Sequence, residues 1–507
     1  MRSIKIRIFF LIILMIGYLK PVLCQPAKVK GILNKTPYGK LFLVRPAYPF
    51  KVNGVYAGFK EIKMNRKGEF DFSVDLLKPE IMTAMFMDSA GKNLGNYNFY
   101  LSPGDQLMMK QNAGTQEFNF DVTGKGASNN QFLAIDNNDA VRDFYKDTLP
   151  GRAISYLETQ NNTHKKILEA YIQKQHPSAD FISAWKANLQ YEMLEAYFSF
   201  LTSNARQIGK AYERNYTAWQ SALEVLYKDA PLSNENAMVA ALYKKFLSWY
   251  LLRTKEVQWE LFKADRTTFL LKWYGNDTAA GAEIFTDDRY NDLQQKIIEK
   301  YFSGSAREYL YAVLINGSLN DSEIENLVPV YEKFKADYPT SPFLKLFDEG
   351  INNVIVKKKQ KLTPEMKFID GEAMFKTWED ILAYYKGQTV LVDMWGTWCG
   401  PCRQDMERHS QFIKKHFKGS SLAYLYIDNY DAGKEKAWKE LIAYFGLEGT
   451  HFMASKELTT DIMNKVKGQG FPTYIIISKD GSFELYDRGY GMDRDVLIAQ
   501  IDKALNR

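Results

Sequence analysis

The pattern of apolar and polar residues changes twice along the 507 residues of the chain. Between residues 27 and 123, short alternating runs are separated by Gly, Pro and Asn, which predicts a β-sandwich-like domain of antiparallel strands. Between residues 129 and 360, apolar residues recur at helical spacing, which predicts an all-helical domain. Between residues 365 and 507, apolar strands alternate with helices, which predicts an α/β domain. The pattern therefore predicts a multidomain chain, as its length favours.

Within the last region, the central feature is an apolar strand that leads into Cys399-Gly-Pro-Cys402, and a helical pattern begins at Cys402, which places Cys399 at or next to a helix start. The unpaired amides and the dipole of a helix start stabilise a thiolate there. A second thiol one turn away can resolve the mixed disulfide that the first one forms. The pattern predicts strands at 389–395, 422–428, 450–454, 471–477 and 482–486, and helices at 378–386, 434–445, 458–466 and 493–505. This arrangement predicts thiol–disulfide exchange.

The first 24 residues have the pattern of an export signal. Arg2, Lys5 and Arg7 form a positive start, and residues 8–18 form an apolar core that is short for a membrane span. Cleavage after Cys24 predicts an exported protein of the periplasm or cell envelope. Lipid attachment at Cys24 is the alternative, although the residues before it fit a lipid-attachment motif poorly.

Charge and cysteine content narrow the function classes further. The predicted signal holds four basic residues and no acidic ones, so 62 of the 66 basic residues remain against 60 acidic residues, a net charge of +2. This balance gives no case for nucleic-acid binding. Cys24, Cys399 and Cys402 are the three cysteines of the chain. Without the signal, the Cys399–Cys402 pair stands alone, which favours a catalytic over a structural disulfide.

Three motifs of the C-terminal region carry a family resemblance. Trp398-Cys-Gly-Pro-Cys402, Val392-Asp-Met-Trp395 and Gly470-Phe-Pro-Thr-Tyr474 resemble thioredoxin, and the extra helix and strand at 434–454 resemble its TlpA/ResA-type envelope branch. The resemblance covers the chain from about Glu365 to its C-terminus. It implies a thioredoxin fold and a protein disulfide reductase that needs no cofactor. Such an enzyme is re-reduced by an upstream electron donor, for example a membrane-embedded thiol protein.

The resemblance also implies roles for individual residues. Cys399 is the expected nucleophile, and Cys402 is the expected resolving thiol, so the two form a redox-active disulfide. Asp393, on the buried strand, matches the acid that accepts the proton of the resolving thiol, and desolvation should raise its pKa. Pro472 matches the proline, cis in the family, that lies beside the cysteines and offers its backbone to a bound chain.

Four residues near the CxxC motif are expected to support the site or have a role that the sequence leaves undecided. Trp395 and Trp398 are expected to pack the site and shape its surface. Asp405 lies one turn after Cys402, where the envelope branch usually carries a glutamate; it is alternatively a first-turn acid favoured by the helix dipole. Glu407 stands where the branch commonly has a proline, which puts a kink of this helix in doubt.

The two preceding regions carry weaker resemblances. Residues 99–105 and 123–133 resemble the N-terminal β-domain found ahead of thioredoxin modules in envelope proteins, and 330–342 resembles one tetratricopeptide-like segment. The aromatic residues of the helical region are expected to be core. His164 lacks a partner at metal-ligand spacing, so a hydrogen-bonded or solvent-facing histidine is expected there.

Two alternatives to a disulfide reductase fit the sequence less well, and a third remains open. A zinc site made of Cys399, Cys402, His409 and His416 is disfavoured, because the histidines are seven residues apart. A peroxiredoxin-like thiol peroxidase needs a threonine three residues before its reactive cysteine, where this chain has Gly396. A binding protein that carries the redox module as a passenger stays open, because intact cysteines do not argue against additional binding.

Overall fold

The structure is a computed structural model, and two compact units make up the fold. It describes residues 25–33, 39–45, 49–52, 55–112, 119–132, 144, 147–228, 230–288, 290–486 and 492–507. The first unit extends to Arg253 and includes Tyr301–Arg307, and the second comprises Thr254–Lys300 and Glu308–Arg507. The predicted signal with Cys24 lies outside the described residues, and the predicted domain boundaries remain predictions.

The first unit begins with a β-rich region of two four-stranded sheets, ordered β10-β9-β1-β6 and β5-β2-β7-β8. The strands are β1 Gln25–Ile32, β2 Lys40–Val44, β3 Lys51–Val52, β4 Val55–Tyr56, β5 Phe59–Lys63, β6 Glu69–Leu76, β7 Glu80–Met87, β8 Asn93–Leu101, β9 Gln106–Gln111 and β10 Phe120–Lys125. Alternate residues of β6 are buried, and both sheets contribute to one apolar core. Unlike the predicted antiparallel pattern, β1 and β9 pair in parallel. This pairing is possible because the chain crosses to the other sheet between them.

A helical region follows, as the period of its apolar residues predicts. Its helices are α1 Gly151–Gln175, α2 Ala179–Arg214, α3 Tyr216–Tyr227, α4 Ala241–Ala264, α5 Arg266–Tyr274, α6 Thr278–Asp287, α7 Asn291–Tyr301, α8 Gly304–Asp321, α9 Leu327–Asp337 and α10 Leu344–Lys357. His164 is buried in α1, and its Nδ1 lies 2.7 Å from the Glu192 carboxylate. It is therefore a core histidine whose ring nitrogen has a hydrogen-bond partner. Among the helices of the described residues, none combines the length and apolar character needed to span a bilayer.

The C-terminal region has the thioredoxin fold, with a six-stranded sheet in the order β11-β14-β13-β12-β15-β16. Its strands are β11 Met366–Phe368, β12 Thr389–Trp395, β13 Leu422–Asn429, β14 Gly449–Ala454, β15 Thr473–Ile477 and β16 Phe483–Leu485. Its helices are α11 Gly371–Met374, α12 Trp378–Tyr384, α13 Gly400–Asp405, α14 Gln411–His416, α15 Glu435–Phe445, α16 Lys456–Val466 and α17 Arg494–Leu505. The predicted elements are present with small shifts at their ends, and β11 and α11 are additional.

Strand β12 lies inside the sheet, and all seven of its residues are buried. It pairs in parallel with β13 and antiparallel with β15. Val390, Val392 and Met394 belong to one apolar core, and Leu391 belongs to the core on the opposite face. Because side chains alternate along a strand, Asp393 shares the face of Leu391. The strand therefore carries a carboxyl group into the interior and delivers the chain to Cys399.

Candidate active site

Cys399 and Cys402 are joined by a disulfide at the start of α13, with a Cα–Cα distance of 5.3 Å. Cys399 is the N-cap residue, and its sulfur accepts a hydrogen bond from the Cys402 amide at 3.3 Å. Pro401 occupies the first turn, where a missing amide hydrogen costs nothing. Both cysteines are buried in this disulfide form. The helix start therefore holds the two sulfurs where the sequence predicts them.

The helix that begins at the cysteines is irregular one turn later. A π-helical turn at Met406–Ser410 separates α13 from α14, and the Ser410 hydroxyl donates to the Met406 carbonyl at 2.6 Å. A proline is absent from this turn, and Glu407 stands within it. The helical run is thus interrupted by a wider hydrogen-bonding pattern.

Asp393 is buried on β12, near Asp405 of the cysteine helix. Burial raises its pKa well above the ordinary range, and the nearby Asp405 carboxyl raises it further. Its Oδ1 atom accepts no hydrogen bond from the described residues. Tyr426 and Tyr474 stand opposite it on the two neighbouring strands. A carboxyl group in this setting binds its proton more tightly than an exposed one and can exchange it with a nearby group.

Asp405 is buried inside the same site rather than solvated at the helix surface. The Tyr474 hydroxyl donates a hydrogen bond to its Oδ2 at 3.1 Å. Burial raises the pKa of Asp405, while the Tyr474 hydrogen bond and the charge of His409 oppose the rise. The helix therefore brings a second protonatable carboxyl group close to Asp393.

Two aromatic residues lie close to Trp398, which directly precedes Cys399. Trp398 is 45% exposed, and its ring lies 5.7 Å from that of Phe471 and 6.3 Å from that of Tyr430. The Trp398 indole nitrogen donates to the Asn429 carbonyl at 2.9 Å, which holds the ring in place. Phe471 precedes Pro472 through a cis peptide bond. Trp395, by contrast, is fully buried and packs the site from inside.

The loop before Cys399 is held by a buried carboxylate from the end of β13. Asp431 accepts hydrogen bonds from the Thr397 amide at 2.5 Å and from the Thr397 hydroxyl at 2.7 Å. Burial, together with the charge of Asp431, raises the pKa of Asp428 to about 9. Asp428 therefore favours its protonated form at neutral pH. Sequence reasoning missed these residues, because only the fold brings Asp431 to Thr397.

Gly396 leaves no room for the threonine that a peroxiredoxin-like site requires. A Cβ atom there would lie 2.5 Å from the Trp398 indole nitrogen and 2.9 Å from the Asn429 carbonyl oxygen. Both distances are far below a van der Waals contact. This position is therefore restricted to glycine by its neighbours.

Arg403, next to Cys402, is almost fully buried and was not singled out by the sequence. Its guanidinium donates to Glu325 at 2.8 and 2.9 Å, to Glu323 at 3.1 Å and to the Thr397 carbonyl at 3.1 Å. The two glutamates lie about 80 residues earlier in the chain, between α8 and α9, so no local pattern signals the pairing. The signal that the sequence offered for this contact was a basic residue directly after the CxxC motif.

The histidines of the alternative zinc site lie along the same helical run. His409 is in the π-helical turn and His416 ends α14, while the two cysteine sulfurs are bonded to each other. Among the described residues, no group of three or more His, Cys, Asp or Glu side chains has an arrangement that could hold a metal ion.

Comparisons with known proteins match the same region. Residues 387–483 match the family described as thioredoxin-like. Sporulation thiol-disulfide oxidoreductase A of Bacillus subtilis is 26% identical over 136 residues, which are 26% of this chain and 72% of that protein. Thiol-disulfide oxidoreductase ResA of Bacillus anthracis is 30% identical over 97 residues, 19% of this chain; the chain spans about half (52%) of that relative.

One solved structure that is similar is the thioredoxin domain of a thiol-disulfide oxidoreductase from Bacteroides vulgatus. It is 23% identical, and the match covers 25% of this chain and 84% of that domain with a TM-score of 0.21. The sheet order, the disulfide at the start of α13 and the match of residues 387–483 agree with one another. The C-terminal region of this chain is therefore a thioredoxin-like domain.

Proposed function

We propose that this protein is a thiol–disulfide oxidoreductase that reduces disulfides in other proteins. The observation that carries the proposal is the Cys399–Cys402 disulfide at a helix start, with the buried carboxyl group of Asp393 on the adjoining strand. The thiol-disulfide oxidoreductases of Bacillus named above support it. The Gly400-Pro401 dipeptide matches that of thioredoxin and favours the reducing direction.

The reaction begins with the reduced enzyme. The Cys399 thiolate attacks one sulfur of the substrate disulfide, forms a mixed disulfide and releases the other substrate sulfur as a thiolate that takes up a proton. Cys402 then loses its proton to Asp393 and attacks the Cys399 sulfur. The second substrate sulfur leaves as a thiolate and takes up the proton held by Asp393, and the enzyme disulfide forms. Two electrons and two protons have then passed to the substrate, and a dithiol donor must return them.

The surroundings of the disulfide suit a protein substrate. The exposed ring of Trp398, with Tyr430 and Phe471 beside it, offers an apolar surface next to the buried Cys399. Pro472 and its neighbours can offer backbone groups to an extended chain. The predicted export signal supports a periplasmic or envelope location, and a membrane-embedded thiol protein suits the role of donor.

The test is turnover of insulin with dithiothreitol as the reductant, in the wild type and in the Cys399→Ser and Cys402→Ser variants. We expect loss of turnover in both variants, with a trapped mixed disulfide in Cys402→Ser. Retained turnover in Cys399→Ser would contradict the mechanism. Peroxide consumption without disulfide reduction would instead support a thiol peroxidase. A redox potential near the oxidising end of the thioredoxin-fold range, at about −120 mV, would reverse the direction proposed.

A further inference from the structure

A loop of the helical region lies against the first turn of the cysteine helix, within the second compact unit. This acidic loop, defined here as residues 321–326, begins at the last residue of α8 and contains Asp321, Glu323 and Glu325. Glu323 and Glu325 both pair with Arg403, and Asp321 accepts a hydrogen bond from Gln404 at 2.7 Å. Two consecutive residues of the cysteine helix are therefore bound by one loop.

The acidic loop has an uncommon backbone conformation, and hydrogen bonds from a neighbouring helix support it. Ser322 and Asn326, which flank the glutamates, have positive φ angles of 54° and 51°. The buried Asn291 side chain donates to the backbone carbonyls of Glu323 at 2.8 Å and Glu325 at 2.6 Å. Left-handed conformations of residues other than glycine are costly and persist where the surrounding structure requires them. The loop therefore holds its carboxylates in one place.

Glu323 lies beside the dipeptide that separates the two cysteines. A Cβ atom on Gly400 would be 3.8 Å from the Glu323 Oε1 atom. The Glu323 side chain is 16% exposed, so water screens its charge only in part. One arginine faces two glutamates, so the group Arg403, Glu323 and Glu325 carries a net negative charge when both carboxyl groups are ionised.

We propose that Glu323 is a positioning residue of the redox site, whose carboxylate destabilises the Cys399 thiolate and makes the cysteine pair more reducing. This inference rests on the proposed function for its biological meaning. A negative charge near a thiol raises the thiol pKa, and a less stable thiolate shifts the equilibrium from the dithiol towards the disulfide. The helical region would thereby set the chemistry of the C-terminal domain.

The effect of the Glu323 carboxylate on Cys399 is expected to depend on pH. Burial raises its pKa to about 7, against the lowering effect of Arg403. Glu323 therefore ionises around neutral pH, and its effect on Cys399 is present above that range and lost below it. The other charged groups that act on Glu323 are Glu325 and Asp321 in the loop and Lys255 on α4, and Arg408 acts on Asp321.

The test is the rate of Cys399 alkylation by iodoacetamide as a function of pH, in the reduced full chain. We expect Glu323→Gln to lower the Cys399 pKa by about 0.5 to 1 unit. The equilibrium with glutathione should shift about 3- to 10-fold towards the dithiol. Below about pH 6, where Glu323 is protonated in the wild type, the thiolate fractions of the two proteins should converge.

The matched control is Glu407→Gln. Glu407 stands on the same helical run and pairs with Lys357 at the end of α10, so this variant also removes an ion pair between the helical region and the cysteine helix. A purely structural role of Glu323 predicts that both variants lose stability while the Cys399 pKa stays unchanged. A Cys399 pKa in folded Glu323→Gln equal to that of the wild type would overturn the inference.

A second variant covers the case in which Glu323→Gln does not fold. Glu323→Asp keeps the charge but withdraws the carboxylate by one methylene, so a smaller pKa shift in the same direction is expected, and no shift would overturn the inference. Alkylation and glutathione equilibrium need no protein substrate. Failure of insulin turnover in the wild type would therefore count against the proposed function and leave this test intact.

Discussion

The Tyr474 hydroxyl donates a hydrogen bond to the buried Asp405 carboxylate at 3.1 Å, and this contact joins β15 to the helix that begins at the cysteines. β15 follows Pro472 directly, so the bond connects the cysteine helix to the strand that follows the cis-proline. Its partner is an acid whose pKa is raised by burial. The bond is therefore stronger when Asp405 is ionised than when it is protonated.

Tyr474→Phe removes the donor and leaves Asp405 in place. The pKa of Asp405 should rise further, because the hydrogen bond that opposes its protonation is lost. We expect the free energy of unfolding to fall by about 1.5–3 kcal/mol at pH 8, and by less at pH 4, where a larger fraction of the carboxyl group is protonated. Urea unfolding at both pH values measures this difference.

Tyr486→Phe is the matched control for that variant. The Tyr486 ring packs 6.1 Å from that of Tyr474, but its hydroxyl lies against the backbone of Asp493 rather than a carboxylate. Its loss of stability should therefore be the same at both pH values. An equal loss at pH 4 and pH 8 in Tyr474→Phe would show that Asp405 does not titrate through this contact.

Asp393→Asn is expected to separate stability from catalysis. Because the folded-state pKa of Asp393 lies above its unfolded value, the native state binds its proton more tightly, and stability falls as the pH rises above about 4. The variant removes this cost, so its gain in unfolding free energy should grow with pH, by at most about 1.4 kcal/mol per pH unit. Chemical unfolding between pH 4 and pH 8 measures the gain.

The same variant should slow the second chemical step. Without this carboxyl group, the Cys402 proton loses its proposed acceptor, so resolution of the mixed disulfide should slow by about 10²-fold. Acid quenching followed by mass spectrometry should show the mixed disulfide accumulating. A variant that is more stable at high pH yet resolves at the wild-type rate would remove Asp393 from the proposed mechanism.

Breaking the ion pairs of Arg403 should cost more stability when the two glutamates are replaced than when the arginine is replaced. Arg403 has a side-chain exposure of 3%, whereas those of Glu323 and Glu325 are 16% and 29%. Glu323→Gln with Glu325→Gln leaves a buried cation without a countercharge, which should cost about 3–5 kcal/mol. Arg403→Met leaves two carboxylates that water can reach in part, so its cost should be smaller. Urea unfolding of both variants gives the comparison, and the reverse order would contradict it.

Gly396→Ala tests the crowding of the loop before Cys399. The added Cβ would meet Trp398 and the Asn429 carbonyl, so we expect a loss of about 1–3 kcal/mol in unfolding free energy and slower insulin reduction. Gly470→Ala is the control for stability, because a Cβ there has no neighbour within 4 Å. Equal urea midpoints for the two variants would show that the loop can shift without cost.

Part of this site is predictable from the amino-acid sequence, because its signals are local. The apolar run 389–395 is buried at every position, as its composition predicts, and the helix starts at the second residue of the CxxC motif. Asp393 is recognisable because a carboxyl group inside such a run has no nearby water. The β and helical regions were likewise predictable from the period of their apolar residues, although the parallel pairing of β1 and β9 was not.

The remaining site residues lie close together only in the folded chain. Asp405 fits a solvated first turn equally well by sequence, and it is the position of Tyr474 on β15 that buries it. Glu323 and Glu325 stand in a short acidic stretch that is typical of a surface loop, and only packing puts Arg403 against them.

The sequence by itself determined most strands and helices of the C-terminal region to within a few residues, which two sulfurs can pair and which acid of the central strand is buried, because these depend on residues close to one another along the chain. The tertiary structure alone decided which charges surround the cysteine helix. That outcome depends on contacts between residues about 80 positions apart, whose energies arise only when burial excludes water from both partners.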